Sequence, residues 1–134
     1  NLGIKTEFQQ TEFATFLKDL NKRRFQMFDI GWIADYPDPE NFLDVLFYSD
    51  SSNNHTNYSN PLVDSLLEQA RIETDETKRF IIYNEVEQTI LDDAPWIPLW
   101  YSGERYLLIK PDVHDYYQTP LIIPKLRHVY LTDE

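Results

Sequence analysis

The stretch Gly31-Trp32-Ile33-Ala34-Asp35-Tyr36-Pro37-Asp38-Pro39 decides how this chain is read. An apolar run, Phe25-Gln26-Met27-Phe28-Asp29-Ile30, leads into it with the composition of a strand. Two prolines then break the run. Proline has no amide proton and fixes its own φ, so a ladder stops there. A buried strand therefore delivers an indole, a carboxylate and a phenol to an edge where pairing ends. Rigid scaffolds present binding groups in this way.

Working outward, residues 4–8 predict a short strand. Thr11 is placed to cap a helix whose apolar stripe is Phe13, Phe16, Leu17 and Leu20, at i, i+3, i+4 and i+7. Lys22, Arg23 and Arg24 close it, where cations suit a helix C-terminus. With a strand over 25–32, strand, helix and strand in so short a span imply a βαβ unit with parallel strands. Past the prolines, residues 40–47 predict a short helix with Phe42, Leu43, Leu46 and Phe47 inward. Residues 49–59 are a polar loop. Asn60-Pro61 is a helix start, with the Asn as cap and the Pro in the first turn. Val63, Leu66, Leu67 and Ala70 form its stripe. A second helix runs from about Thr74-Asp75 to Leu91, with Phe80, Tyr83, Val86 and Ile90 inward, and Pro95 prevents its continuation. These two read as a helical hairpin. Residues 97–101 and 106–109 predict two strands around Ser102-Gly103-Glu104. From Pro111 the chain is irregular, with one last strand at 129–131.

A length of 134 residues suits one domain with one core, and 42% hydrophobic with 15% aromatic residues indicates a folded chain. The net charge of −11 repels phosphate backbones and anionic lipid, which excludes nucleic acid and electrostatic membrane binding. With no cysteine, disulfides, thiol catalysis and Cys-ligated zinc are excluded. The sequence has no signal peptide and no transmembrane span.

Trp32-Ile33-Ala34-Asp35-Tyr36-Pro37-Asp38-Pro39 followed by Phe42-Leu43 resembles the signature of the dipeptide- and oligopeptide-binding proteins of ABC importers, extracellular solute-binding family 5. The resemblance continues through Asn57-Tyr58-Ser59-Asn60-Pro61-Leu62-Val63-Asp64-Ser65-Leu66-Leu67 and through Asp92-Asp93-Ala94-Pro95-Trp96-Ile97-Pro98-Leu99-Trp100-Tyr101. It implies an α/β fold: part of the second lobe of a periplasmic-binding-protein type II-like structure, a mixed sheet flanked by helices. It implies that residues 1–134 are one partial domain from the C-terminal part of that lobe, with a tail from about 111 to 134 returning toward the first lobe. The implied role is non-catalytic and cofactor-free: capture of a peptide in an interlobe cleft and delivery to permease subunits. The implied location is the periplasm or the outer face of the cell membrane, with a lipid anchor if the source is Gram-positive. An isolated piece of this kind is expected to expose strand edges and self-associate.

The resemblance assigns Asp35 to the N-terminal amine of the peptide, and the physics is sound. A carboxylate at a strand end in a closing cleft attracts a cation more strongly than one on an open surface. Read without the motif, Asp35 is a turn residue bonded to local amides. The resemblance also implies that backbone around Trp32, Ile33 and Ala34 pairs with an extended ligand, which gives affinity independent of ligand side chains. Core packing is the other role open to Trp32. Tyr101 and Ser102 are implied to lie near the ligand, with core and edge roles equally open to them.

Other constellations are weaker. Asp38, Glu40 and Asp44 do not have calcium-loop spacing, since Pro37 and Pro39 interrupt them and no Gly sits at the turn. Asp38 is expected to stabilise the turn and Glu40 the start of the helix. A hydrolase built on Asp35 and Asp38 needs both acids at catalytic separation, which the prolines oppose. His55, His114 and His128 have no metal or triad context. No Lys or Arg lies between Phe25 and Arg71, so no clamp for a ligand carboxylate is evident there. The family also holds binders of oligosaccharides, nickel chelates and other small solutes, which remain alternative ligands.

Overall fold

The computed structural model describes residues 3–101, 107–118 and 124–132. Its elements are α1 (Phe13–Asn21), α2 (Glu40–Phe47), α3 (Pro61–Ile72), α4 (Glu76–Asp93), β1 (Val113–His114) and β2 (Tyr130–Leu131).

The helical hairpin forms as its pattern requires. Asn60 caps α3 by accepting the Leu62 amide, with Pro61 in the first turn. Asp75 caps α4 by accepting the Lys78 amide at 3.1 Å. Ala94 ends α4 in the left-handed region, at φ 48°, ahead of Pro95. Val63, Leu66, Leu67 and Ala70 of α3 meet Tyr83, Val86 and Ile90 of α4, all buried. Across the hairpin lies α2, which adds Leu46 and Phe47 to the same core. Trp32 and Trp96 pack on its margin, the Trp96 ring 4.9 Å from Phe47. Phe42 and Phe80 depart from expectation: both are exposed, because each sits at the edge of its stripe where neighbouring helices do not reach.

The loop after α2 folds around one side chain. Asn54 is buried and donates through Nδ2 to the carbonyls of Tyr48 (3.2 Å) and Tyr58 (2.7 Å), while its Oδ1 accepts the Tyr58 amide. The Tyr58 hydroxyl then donates to Asp93 at 2.6 Å and closes the loop onto the end of α4.

The expected βαβ unit is corrected. Helix α1 is present, capped by Glu12 rather than Thr11, but among the described residues it packs on no other helix, and of its own side chains Leu20 alone is buried. Residues 4–8, 25–32 and 97–101 form no ladder, and the only ladder among the described residues is antiparallel, pairing Val113 with Leu131 and His114 with Tyr130. The physical reason is that a strand takes its hydrogen-bond partners from elsewhere in sequence. The described residues supply none to these segments. The turn at 102–106, and with it the start of the expected strand at 106–109, lies outside the described residues; 107–109 carry no ladder.

Candidate functional site

Residues 28–35 alternate strictly in burial. Phe28, Ile30, Trp32 and Ala34 are half-buried, whereas Asp29, Gly31, Ile33 and Asp35 are exposed. A period of two is the geometry of an extended strand. Yet no backbone amide or carbonyl from 25 to 35 pairs with another backbone group among the described residues. The segment is a strand in side-chain pattern with an unoccupied backbone edge, and it ends at Asp35. No described residue donates a hydrogen bond to the Asp35 carboxylate.

The end of this segment is held from α2. The Asn41 side chain is buried, and its Oδ1 accepts two protons: from the Trp32 indole Nε1 at 3.1 Å and from the Asp35 backbone amide at 3.0 Å. Beside it, the Tyr36 hydroxyl donates to Glu40, and that bond raises the Tyr36 pKa while the Asn41 side chain pulls it the other way.

Asp38 fixes the turn between strand and helix, as expected. Its Oδ1 takes the amide of Glu40, the first residue of α2. The same carboxylate receives a two-pronged bond from Arg79 of α4, at 2.6 and 2.8 Å. Arg79 also donates to the Ala70 carbonyl and the Tyr83 hydroxyl. Its hydrogen bonds, ahead of the opposing cost of burial, hold the Asp38 carboxyl below the usual carboxylate range. A second bidentate pair, Arg71 with Asp44 at 2.7 and 2.8 Å, ties α3 to α2, and Arg71 stacks on the Tyr48 ring.

Of the expected site residues, Trp32, Ile33, Ala34 and Asp35 form one continuous segment. Tyr101 is 92% exposed and shares no hydrogen bond with that segment among the described residues. Ser102 lies outside the described residues. Sequence reading overlooked Asn41 and Arg79. Asn41 carries one signal: with Asp44 it puts polar side chains, three residues apart, on the inward side of α2. Beside the segment, an open groove of about 760 Å³ runs between Phe13, Phe16 and Leu17 of α1 and residues 29–32. Among the described residues, no three of His, Asp and Glu gather at a metal-binding site, and no helix is long and apolar enough to cross a membrane.

Comparison with known proteins places this geometry. Residues 1–54 match the family model described as bacterial extracellular solute-binding proteins, family 5 Middle. The periplasmic oligopeptide-binding protein OppA of Escherichia coli is 32% identical over 132 residues, which is 98% of this chain and 24% of that protein. Among solved structures, the unliganded open form of MppA, a periplasmic murein tripeptide binding protein, superposes with a TM-score of 0.66 and 33% identity over 71% of this chain and 18% of its own. The pheromone receptor PrgZ, whose structure concerns its mode of peptide binding, gives 0.78 at 23% identity over 98% of this chain and 25% of its own, a likeness of fold. The chain spans about a fifth to a quarter of the length of the curated relatives it matches. Its helices, extended segments and small ladder follow the α/β fold of these binding proteins over the part they share.

Proposed function

We propose a function from one premise: this chain belongs to the bacterial extracellular solute-binding proteins of family 5. On our reading it is a piece of the second lobe of a two-lobe protein, with residues 111–134 reaching back to the first lobe. That protein captures a peptide between its lobes, in the periplasm or at the outer face of the cell membrane, and presents it to the permease subunits of an ABC importer. The observation that carries this reading is the segment 28–35: alternating in burial like a strand and ending in an exposed carboxylate to which no described residue donates. An extended peptide adds to such a segment as a further strand, through main-chain bonds that read no side chain.

In this mechanism Trp32, Ile33 and Ala34 offer backbone to the peptide, Asp35 takes its N-terminal ammonium, and Tyr101 and Ser102 are further ligand contacts. In the open form Asp35 stands in water. Lobe closure expels that water and strengthens the ion pair. Asp38 is not available as an acid–base partner for Asp35, because Arg79 holds it ionised. That supports binding without catalysis. The Trp32 indole already donates to Asn41, and its ring is half-buried against the core. An oligosaccharide stacking on that ring is therefore less well served than a peptide.

The test is calorimetric titration of the intact binding protein with peptides bearing free and acetylated N-termini. Asp35→Asn is expected to weaken binding of the free peptide by about 2–5 kcal/mol, the cost of stranding a desolvated charge. Acetylated peptide is expected to bind wild type poorly. Equal affinities for the two peptides would rule out the amine anchor.

A further inference from the structure

Asn41 stands apart from the residues that face the ligand edge. It is 2% exposed and belongs to α2, not to the strand-like segment. An amide oxygen has two acceptor sites. Here both are used, one by the Trp32 indole and one by the Asp35 backbone amide. These donors are three residues apart in the chain, and one oxygen atom brings them together.

We infer that Asn41 is a positioning residue for peptide recognition: its side-chain oxygen locks the Trp32 ring and the Asp35 backbone in one geometry, and so aims the Asp35 carboxylate. The inference rests on the proposed role of Asp35 as amine anchor and adds a residue that does not touch the ligand. Three physical points carry it. First, the Asp35 amide has no backbone partner, so without Asn41 nothing described fixes that peptide plane. Second, the acceptor is neutral. It fixes the segment without competing with Asp35 for a cation or raising the cost of a second negative charge beside it. Third, Asn41 is itself held, because its backbone N–H donates to the Asp38 carbonyl at 3.1 Å and the Asp38 side chain is clamped by Arg79. The path from the α3–α4 hairpin to the anchor therefore runs through Arg79, Asp38 and Asn41. Recognition needs a first contact held by such a supporting layer, since a loosely aimed carboxylate forfeits part of its ion pair to disorder.

The experiment uses the intact binding protein with wild-type, Asn41→Leu, Asn41→Asp and Asp35→Asn forms. Two quantities are read: the ratio of affinities for free and N-acetylated forms of one peptide, and amide hydrogen exchange across residues 32–36 without ligand. Asn41→Leu removes the acceptor at similar volume. It is expected to cut the ratio by about tenfold to a hundredfold and to speed exchange at 32–36. The acetylated peptide, which does not use the anchor, should change little. Asn41→Asp keeps two acceptor oxygens but adds the negative charge beside Asp35 that the neutral amide avoids, so it is expected to restore slow exchange at 32–36 and only part of the ratio. If Asn41→Leu does not fold, Asn41→Gln moves the acceptor by one methylene group and serves the same comparison. A purely structural role would lower both affinities by one factor and leave the ratio intact; that result, or unchanged exchange at 32–36, overturns the inference. If Asp35→Asn keeps the ratio, the anchor reading fails instead, and the exchange data alone decide whether Asn41 holds the segment.

Discussion

The hairpin with α2 and the segments around it obey different rules. Between residues 38 and 93, most apolar side chains on an inward stripe are buried, and two bidentate ion pairs tie α3 to α2 and α4 to the turn that precedes α2. Outside that span, large apolar side chains stand in the open: Phe8 and Leu108 are each 99% exposed and Trp100 is 78% exposed. Composition does not explain the contrast, because both regions are rich in aromatics. Backbone bonding does. A helix closes its hydrogen bonds within a few residues and needs only one face covered. A strand is complete only when another segment lies beside it, and its side chains are buried only when the sheet is.

Substitutions in the two regions should therefore differ sharply in cost. The largest effect is expected at Leu67, which is fully buried between α3 and α4. Leu67→Ala should destabilise the chain by about 3–5 kcal/mol, through lost transfer energy and an unfilled cavity. Thermal unfolding followed by helical circular dichroism measures it. A loss below about 1 kcal/mol would mean that the hairpin core is not the seat of stability.

Next comes the Arg79 clamp, which joins the turn at Asp38 to α4. Arg79→Leu strands the Asp38 carboxylate and should cost about 2–4 kcal/mol. Its pH signature has a definite sign. Asp38 is depressed in the folded state, chiefly by its hydrogen bonds from Arg79. Its contribution is thus full above the ordinary Asp range near pH 4 and is lost as pH falls through the depressed folded value. Denaturant titrations between about pH 2 and 7 should show wild type losing stability on the acid side. Arg79→Leu should lose less there. Parallel curves would remove the clamp from the account.

Sequence pattern reached the helical region almost whole. The hairpin, the bounds of α2 and the starts of α3 and α4 follow from periodicity and from Asn60, Pro61 and Thr74-Asp75, because those signals are local. The expected strands at 4–8 and 25–32 form no ladder among the described residues, and only 28–35 keeps the alternating burial of a strand, since pairing is a property of two segments at once. For the candidate site, Asp35 and Trp32 could be named because a motif carries them. Asn41 left only the faint signal of a polar residue on the inward side of α2, since its two hydrogen bonds reach back six and nine residues from a helix. Arg79 was hidden for the same reason, lying 41 residues from the carboxylate it grips.

A smaller effect is expected where α4 ends. Ala94 adopts a left-handed conformation that favours glycine. Ala94→Gly should stabilise the helical region by about 0.5–1 kcal/mol, the net of relieved strain against added freedom in the unfolded chain. An unchanged unfolding midpoint would argue that contacts around Trp96 and Pro95 set that turn.

The smallest effect on stability is expected in the outer segments. Trp100 and Leu108 have little burial to lose, so replacing each with Ser should shift the stability of the chain by less than about 0.5 kcal/mol, the ordinary range for surface positions. Their exposure has another consequence. Apolar side chains on unpaired segments tend to find cover in another molecule, and we propose that the chain by itself associates through them. Trp100→Ser with Leu108→Ser should then lower light scattering at high protein concentration while leaving the unfolding midpoint in place. In the intact binding protein the same pair should become costly if these segments lie in the lobe's sheet, by about 2–4 kcal/mol for two buried side chains replaced by polar ones. A double variant that costs the same in both settings would break the contrast. It would mean that these segments stay exposed in the longer protein too, and that their apolar side chains serve a surface rather than a sheet.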